Sequence, residues 1–227
     1  MEIISSKNRS TSRPYTAFFD LDRTIIRTDS GRTLIWYALK EGLMTRTYLL
    51  KGIYLSILYK LNLRNPTKII STMVSWLKGV SEDSFNELSA EIFRNDLKES
   101  INHDIKSEIN FHRKNGAGCV ILSSSIQPVC QPIADYLKMD DIICSNLEVD
   151  NGIYTGRPSG LFCFGEEKAV RLLEYCKMNN IDYETALYYG DSISDLPVLN
   201  TVGYPICVNP DRKLKRVANI RGWQIIN

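Results

Sequence analysis

Residues 15–26 read Y-T-A-F-F-D-L-D-R-T-I-I. Ala17, Phe18 and Phe19 form a short apolar run of the kind that makes a buried strand. The run breaks into Asp20, Leu21, Asp22, Arg23 and Thr24. Two carboxylates two apart in extended chain point to the same side. Each raises the pKa of the other, so crowding them at the end of a buried strand costs free energy. A bound cation, or a task for one proton, would explain why the pair is tolerated. A bare D-x-D after an apolar run is more often a solvated turn. Three later segments reverse that judgement.

To either side of this stretch the chain is ordinary in bulk. It has 227 residues, 44% apolar and 24% charged, enough for one large domain or a domain with a sizeable insertion. The net charge of +2 gives no argument for nucleic acid as a partner. Six cysteines (Cys119, Cys130, Cys144, Cys163, Cys176, Cys207) are scattered without a C-x-x-C, which reads as buried thiols in a reducing compartment and a cytoplasmic protein. Residues 1–13 are polar and show no secretory signal. No uncharged apolar run approaches ~18 residues, the minimum for a spanning helix. His103 and His112 sit among polar residues and are expected at the surface.

Residues 30–113 carry helical spacing almost throughout. Within them, 43–63 is unusually apolar, with Tyr48, Tyr54 and Tyr59 beside Arg46, Lys51 and Lys60. A helix over 67–78 is expected to end at Gly79, and Ser81 to cap the next. Strand and helix alternate from Gly116 onward. Strands are expected at 119–122, 142–144, 186–189, 205–208 and 224–226. Asp150-Asn151-Gly152 marks a hairpin within 147–155. Helices are expected after Pro128 and over 166–177, and another with Asn209 as its cap and Pro210 at its first position. The pattern predicts an α/β fold: a Rossmann-like parallel sheet with helices on both faces and an inserted all-helical cap. The core comprises 1–29 and 113–227, and the cap 30–112.

Ligands of such sheets bind at the carboxyl ends of the strands. Strand one brings Asp20 and Asp22 there, strand two Ser123 and Ser124, and strand four Asp191 with Asp195 a turn later. Lys168 lies in the first turns of the helix after the hairpin. Taken singly, each is a turn serine, a solvated lysine or a helix-end acid; together they make a kit for phosphoryl transfer. Asp20, Asp191 and a phosphate dianion total about −4, and one Mg²⁺ with Lys168 returns about +3, so neither cation is dispensable. Hard oxygen ligands favour Mg²⁺ over zinc.

These segments resemble the haloacid dehalogenase superfamily, in its phosphoserine-phosphatase-like branch (subfamily IB). D-L-D-R-T at 20–24 is similar to the nucleophile loop, V-I-L-S ending at Ser123 to the second motif, G-E-E-K ending at Lys168 to the lysine motif, and Y-Y-G-D-S-I-S-D ending at Asp195 to the final acidic motif. The resemblance implies a Mg²⁺-dependent phosphomonoester hydrolase. In it, Asp20 attacks phosphorus and becomes an aspartyl-phosphate, and Asp22 acts as acid and then base. The metal is held by the Asp20 and Asp191 side chains and the Asp22 carbonyl. Thr24, Ser123, Ser124 and Lys168 hold phosphoryl oxygens, and Asp195 supports the metal waters and Lys168. Phosphoserine phosphatases read their substrate with a cap glutamate and a cap arginine, where this chain places Asp29 and Met73. The resemblance therefore implies a small organic or lipid-type phosphomonoester, with phosphoserine the second reading and a non-catalytic phosphate-binding module the third. The segment 43–63 reads first as cap core or dimer contact, and next as a peripheral membrane contact.

Overall fold

The computed structural model describes residues 13–50, 52, 54, 72 and 74–227. Six parallel strands form one sheet in the order β3-β2-β1-β6-β7-β8. At its centre lies β1 (Thr16–Phe19), all four residues buried. Side chains alternate across the sheet, so Ala17 and Phe19 enter one core while Phe18 enters the other. On the first face pack α3 (His103–Lys114) and α4 (Gln127–Leu137), through Ile105, Ile109, Val129 and Ile133. On the second pack α5 (Glu166–Met178) and α7 (Arg212–Arg221), through Leu172, Leu214 and Ala218. Phe19 stacks on Tyr189 of the neighbouring β6 (Leu187–Gly190), with ring centroids 4.5 Å apart.

The expected strands are all present, and most are longer. β2 covers Gly118–Ile126 and β3 Asp141–Ser145; their pairing shifts between Leu122 and Ile126. That irregularity takes Ser123, Ser124 and Ser125 out of the regular β2–β3 ladder. β7 (Tyr204–Val208) pairs in parallel with β8 (Gln224–Ile226). β4 (Leu147–Asp150) and β5 (Ile153–Pro158) form the hairpin, turning through Asn151 and Gly152 at φ 48° and 77°. Positive φ at both positions matches the twist of the flanking strands.

Two expectations need correction. Asn209 does not cap α7. It has φ 40°, and the cap is Asp211, whose carboxylate accepts the N–H groups of Lys213 and Leu214. A carboxylate placed on two free N–H groups and the positive helix end outcompetes an amide two residues earlier. His112 is not at the surface; it is buried in α3 at helical spacing from Ile105 and Ile109. Tyr189 donates its hydroxyl proton to Glu108, so the Tyr189 oxygen accepts from His112 Nε2 at 2.7 Å and Nδ1 accepts from Tyr15 at 3.0 Å. Every polar atom of the imidazole is thereby satisfied, and burial lowers its pKa against the pull of Glu108. His103 is exposed.

Between β1 and α3 the described chain is helical, apart from short connections. Asp29 caps α1 (Ser30–Lys40). Ser81 precedes α2 (Glu82–Ile92) without a side-chain cap bond, and a π-helical turn over Phe93–Leu97 follows. Two strands of connection join this segment to the sheet: Arg27 N–H to Ser100 O and Asn102 N–H to Ile25 O, both 2.8 Å. The boundary expected between residues 112 and 113 falls inside α3, which packs on β2. The helix expected over 67–78, like most of 43–63, lies outside the described residues. Its described end is a 3₁₀ turn (Ser75–Leu77) followed by Gly79 at φ 86°. Gly79 N–H donates to Tyr154 O, Tyr154 N–H to Val80 O, and Glu82 N–H to Gly152 O, so the hairpin and the helical segment share a short seam. Among the described residues no helix is long and apolar enough to cross a membrane.

Candidate active site

β1 is the point where the strand order reverses direction, and both it and β6 end in an aspartate. Asp20 follows β1, and its N–H bonds Tyr189 O at 2.8 Å; Asp191 follows β6. Register pairs Phe19 with Tyr189, so the two acids emerge side by side. A close approach requires Gly190 here: a Cβ would stand 2.8 Å from the Tyr188 ring and 2.9 Å from Asp195 Oδ2. After Asp191, Ser192 caps a 3₁₀ turn (Ile193–Asp195) in a capping box that aims Asp195 back at the site, and α6 (Leu196–Leu199) follows.

Lys168 reaches this acidic group from the first turns of α5. Its ammonium donates to Asp20 Oδ1 and Asp195 Oδ1, both at 2.7 Å, and all three side chains are buried. Asp195 is further held by the Tyr188 hydroxyl at 2.8 Å and by Ser192 N–H at 3.3 Å. The Lys168 ammonium also lies 5.3 Å above the Tyr188 ring. Asp22 points elsewhere: its Oδ1 accepts Ser30 N–H at 2.7 Å, at the start of α1.

A cavity of about 180 Å³ opens over these groups. Of the expected residues, Asp20, Asp22, Ser124, Lys168, Asp191 and Asp195 line it, joined by Arg23, Asp29, Phe164, Gly165, Ser192 and Ser194. Ser123 and Thr24 are buried but do not line it. Ser123 Oγ accepts Ser125 N–H at 3.1 Å, while Thr24 Oγ1 has no partner among the described residues. Sequence reasoning passed over Tyr188, since a tyrosine on a central strand reads as core. Its place two residues before Gly190, on the face toward α5, was the available signal.

Burial dominates the electrostatics. It raises the Asp20 pKa, against Lys168 and with the help of Asp195 and Asp22. It pushes Asp191 up to about 8, reinforced by Asp20 and Asp195 and opposed by Arg23 and Lys168. Asp22 is raised by burial against the Ser30 N–H. Burial alone would lower Lys168, but Asp195 and Asp20 outweigh it and raise it. Carboxylate oxygens of Asp20, Asp191 and Asp195 come within 4.8 Å of one another. Three hard oxygen donors, buried and short of positive charge, fit a small divalent cation. Both oxygens of Asp195 are already engaged, so Asp20 and Asp191 are the freer donors.

With this geometry in view, the chain was compared with known proteins. A sequence model of the haloacid dehalogenase-like hydrolases matches residues 17–200. A probable phosphatase of Mycobacterium tuberculosis is 30% identical over 93% of this chain and 74% of its own length. A histidinol-phosphatase of Neisseria meningitidis is 27% identical over 93% of this chain and 97% of its own. Among solved structures, a Bordetella pertussis protein of unknown function superposes with a TM-score of 0.87 at 26% identity, over 96% of this chain and 99% of that one. A phosphoserine phosphatase solved as a phospho-aspartyl intermediate analogue reaches 0.66 at 17% identity, over 94% and 92%, which is a likeness of fold. The chain belongs to the haloacid dehalogenase-like hydrolases and stands among the phosphatases of that family.

Proposed function

We propose that this protein hydrolyses a small phosphomonoester with Mg²⁺ through an aspartyl-phosphate on Asp20. The observation that carries the reading is the shared ammonium: Lys168 is bonded at 2.7 Å to both Asp20 and Asp195, beside Asp191, at the end of the central strands. Asp20 and Asp191, with the Asp22 carbonyl, would hold the ion; when bound, it neutralises phosphoryl oxygens and the carboxylates around them. Lys168 fixes the nucleophile's orientation through Oδ1, and Asp20 lines the cavity. Asp22 stands on the loop beside it, outside the Lys168 network, and its raised pKa suits a proton donor to the departing alkoxide. Once the alcohol has left, the same carboxylate accepts a proton from the attacking water. Ser124 on the wall and the backbone around Ser123 are suited to phosphoryl oxygens, and the helical segment after β1 to covering the site.

The cavity of about 180 Å³ has room for the phosphoryl group and the atoms next to it. A phosphoserine-phosphatase activity is a second reading, supported by the fold likeness. Phosphate release from p-nitrophenyl phosphate tests the chemistry. Native protein is expected to turn over with Mg²⁺ and to trap acid-stable label from a ³²P substrate at Asp20. Asp20→Asn abolishes both, and Asp22→Asn lowers kcat by roughly 10²–10⁴-fold. Turnover by Asp20→Asn at the native rate overturns the assignment.

A further inference from the structure

The cavity holds two cations in very different states. Lys168 is buried and saturated by two carboxylates. Arg23 is not: its side chain is 55% exposed, and among the described residues its guanidinium makes no hydrogen bond. Among the described residues its ion pair is with Asp29 Oδ2 at 3.9 Å. Asp29 does not need it, because Arg32 already supplies its N–H at 3.0 Å and its guanidinium at 3.8 Å.

The backbone of Arg23 is the second observation. It sits at φ 59°, a left-handed conformation uncommon for a side chain of this size. Such a conformation is strained and persists only where the surroundings enforce it. Here they do: Arg23 N–H bonds Thr28 O, Thr24 N–H bonds Leu21 O, and Ile25 N–H bonds Asp20 O. The loop that presents Asp20 and Asp22 thus also fixes the direction from which Arg23 enters the cavity. It lines the cavity with Asp29, the cap of the first inserted helix, outside the hydrogen bonds of the Lys168 network and near enough to Asp191 to oppose the rise of its pKa.

A phosphoryl group on Asp20 would be met by Lys168 and by a cation on Asp20 and Asp191, which leaves the weakly held Arg23 guanidinium, in the same cavity lining, for a second anion on the ester. We infer that Arg23 is a specificity-determining residue that binds a second anionic group, a carboxylate or further phosphate, on the leaving alcohol. The planar fork of arginine suits such oxyanions in a way lysine does not. The inserted helices are not required for this contact, since Arg23 belongs to the β1 loop. The inference rests on the proposed phosphomonoester chemistry for the placement of the alcohol.

Two non-hydrolysable ligands of equal length test it: 3-phosphonopropionate, with a carboxylate, and propylphosphonate, with a methyl group in its place. Affinities are measured by calorimetry with Mg²⁺ for native protein, Arg23→Asn and Arg23→Lys. Asparagine tolerates positive φ, so Arg23→Asn keeps the loop, which its melting temperature verifies. Native protein is expected to prefer the carboxylate ligand about tenfold or more. Arg23→Asn brings the ratio to about one, and Arg23→Lys leaves it between. A native ratio near one, or a ratio unchanged in Arg23→Asn, overturns the inference. Because binding is read directly, absence of hydrolysis would defeat the proposed function without touching this ratio.

Discussion

At the scale of single residues, the arrangement hangs on how Asp195 is held. It can press Lys168 against Asp20 only while its own carboxylate is fixed, and Tyr188 donates to the same oxygen that accepts from Lys168. Tyr188→Phe removes that hydroxyl and keeps the ring under the ammonium. The expected outcome is a kcat lower by roughly tenfold, with KM little changed and the fold intact. Steady-state kinetics beside a thermal melt check it; a KM effect alone would mean Tyr188 acts on binding. The acids, Ser124 and Lys168 were legible in the sequence because the chemistry demands those residue types at strand ends. Tyr188 and His112 were not, because each reads as ordinary core or surface until its partner is known. The His112 pair with Tyr189 spans 77 residues. In both cases local periodicity carried the position but not the hydrogen bond.

At the scale of elements, the hairpin is more than a connection. Gly156 of β5 has φ 77°, and a Cβ there would lie 2.9 Å from Lys78 Cβ and 3.0 Å from Ser75 O. Gly156→Ala therefore meets both backbone strain and a clash at the seam with the helical segment. A loss of roughly 1–3 kcal/mol is expected, read as a lower urea midpoint. An unchanged midpoint would show that the seam yields freely. Turn chemistry made the hairpin legible, since Asn-Gly admits two positive φ values in a row. The seam was not, because the pairing of 79–82 with β5 is tertiary and leaves no pattern of its own. The starts of the helices at 82, 127, 166 and 212 were read within two residues, and the miss at Asp211 shows why. Asn209 and Asp211 are both good caps, and Asp211 is favoured further by the long-range bond from Ile193 N–H to its Oδ2.

At the scale of the whole molecule, the buried acids couple stability to pH. A carboxyl whose folded pKa is raised, as Asp191 is to about 8, binds more protons folded than unfolded between there and its usual value near 4. Stability of the metal-free protein therefore falls as pH rises through that window. A divalent cation replaces those protons, so Mg²⁺ is expected to raise the melting temperature more at pH 8 than at pH 6. Melts with EDTA or Mg²⁺ at both values check this, and an equal gain at both overturns it. His112, whose lowered pKa works in the opposite direction below about 6.5, acts alike with and without the ion and drops out of the comparison. Sheet order was legible only as a class: alternation fixes parallel strands, while the neighbours of β1 depend on contacts between distant segments.

The seam also bears on how molecules enter. The inserted helices are tied to the sheet along the paired 25–27 and 100–102 connections, and again, on another side, to the hairpin. A cover hinged along one edge swings like a door. A segment fastened along two must first part the seam of 79–82 with the hairpin, so any wide swing costs those three hydrogen bonds.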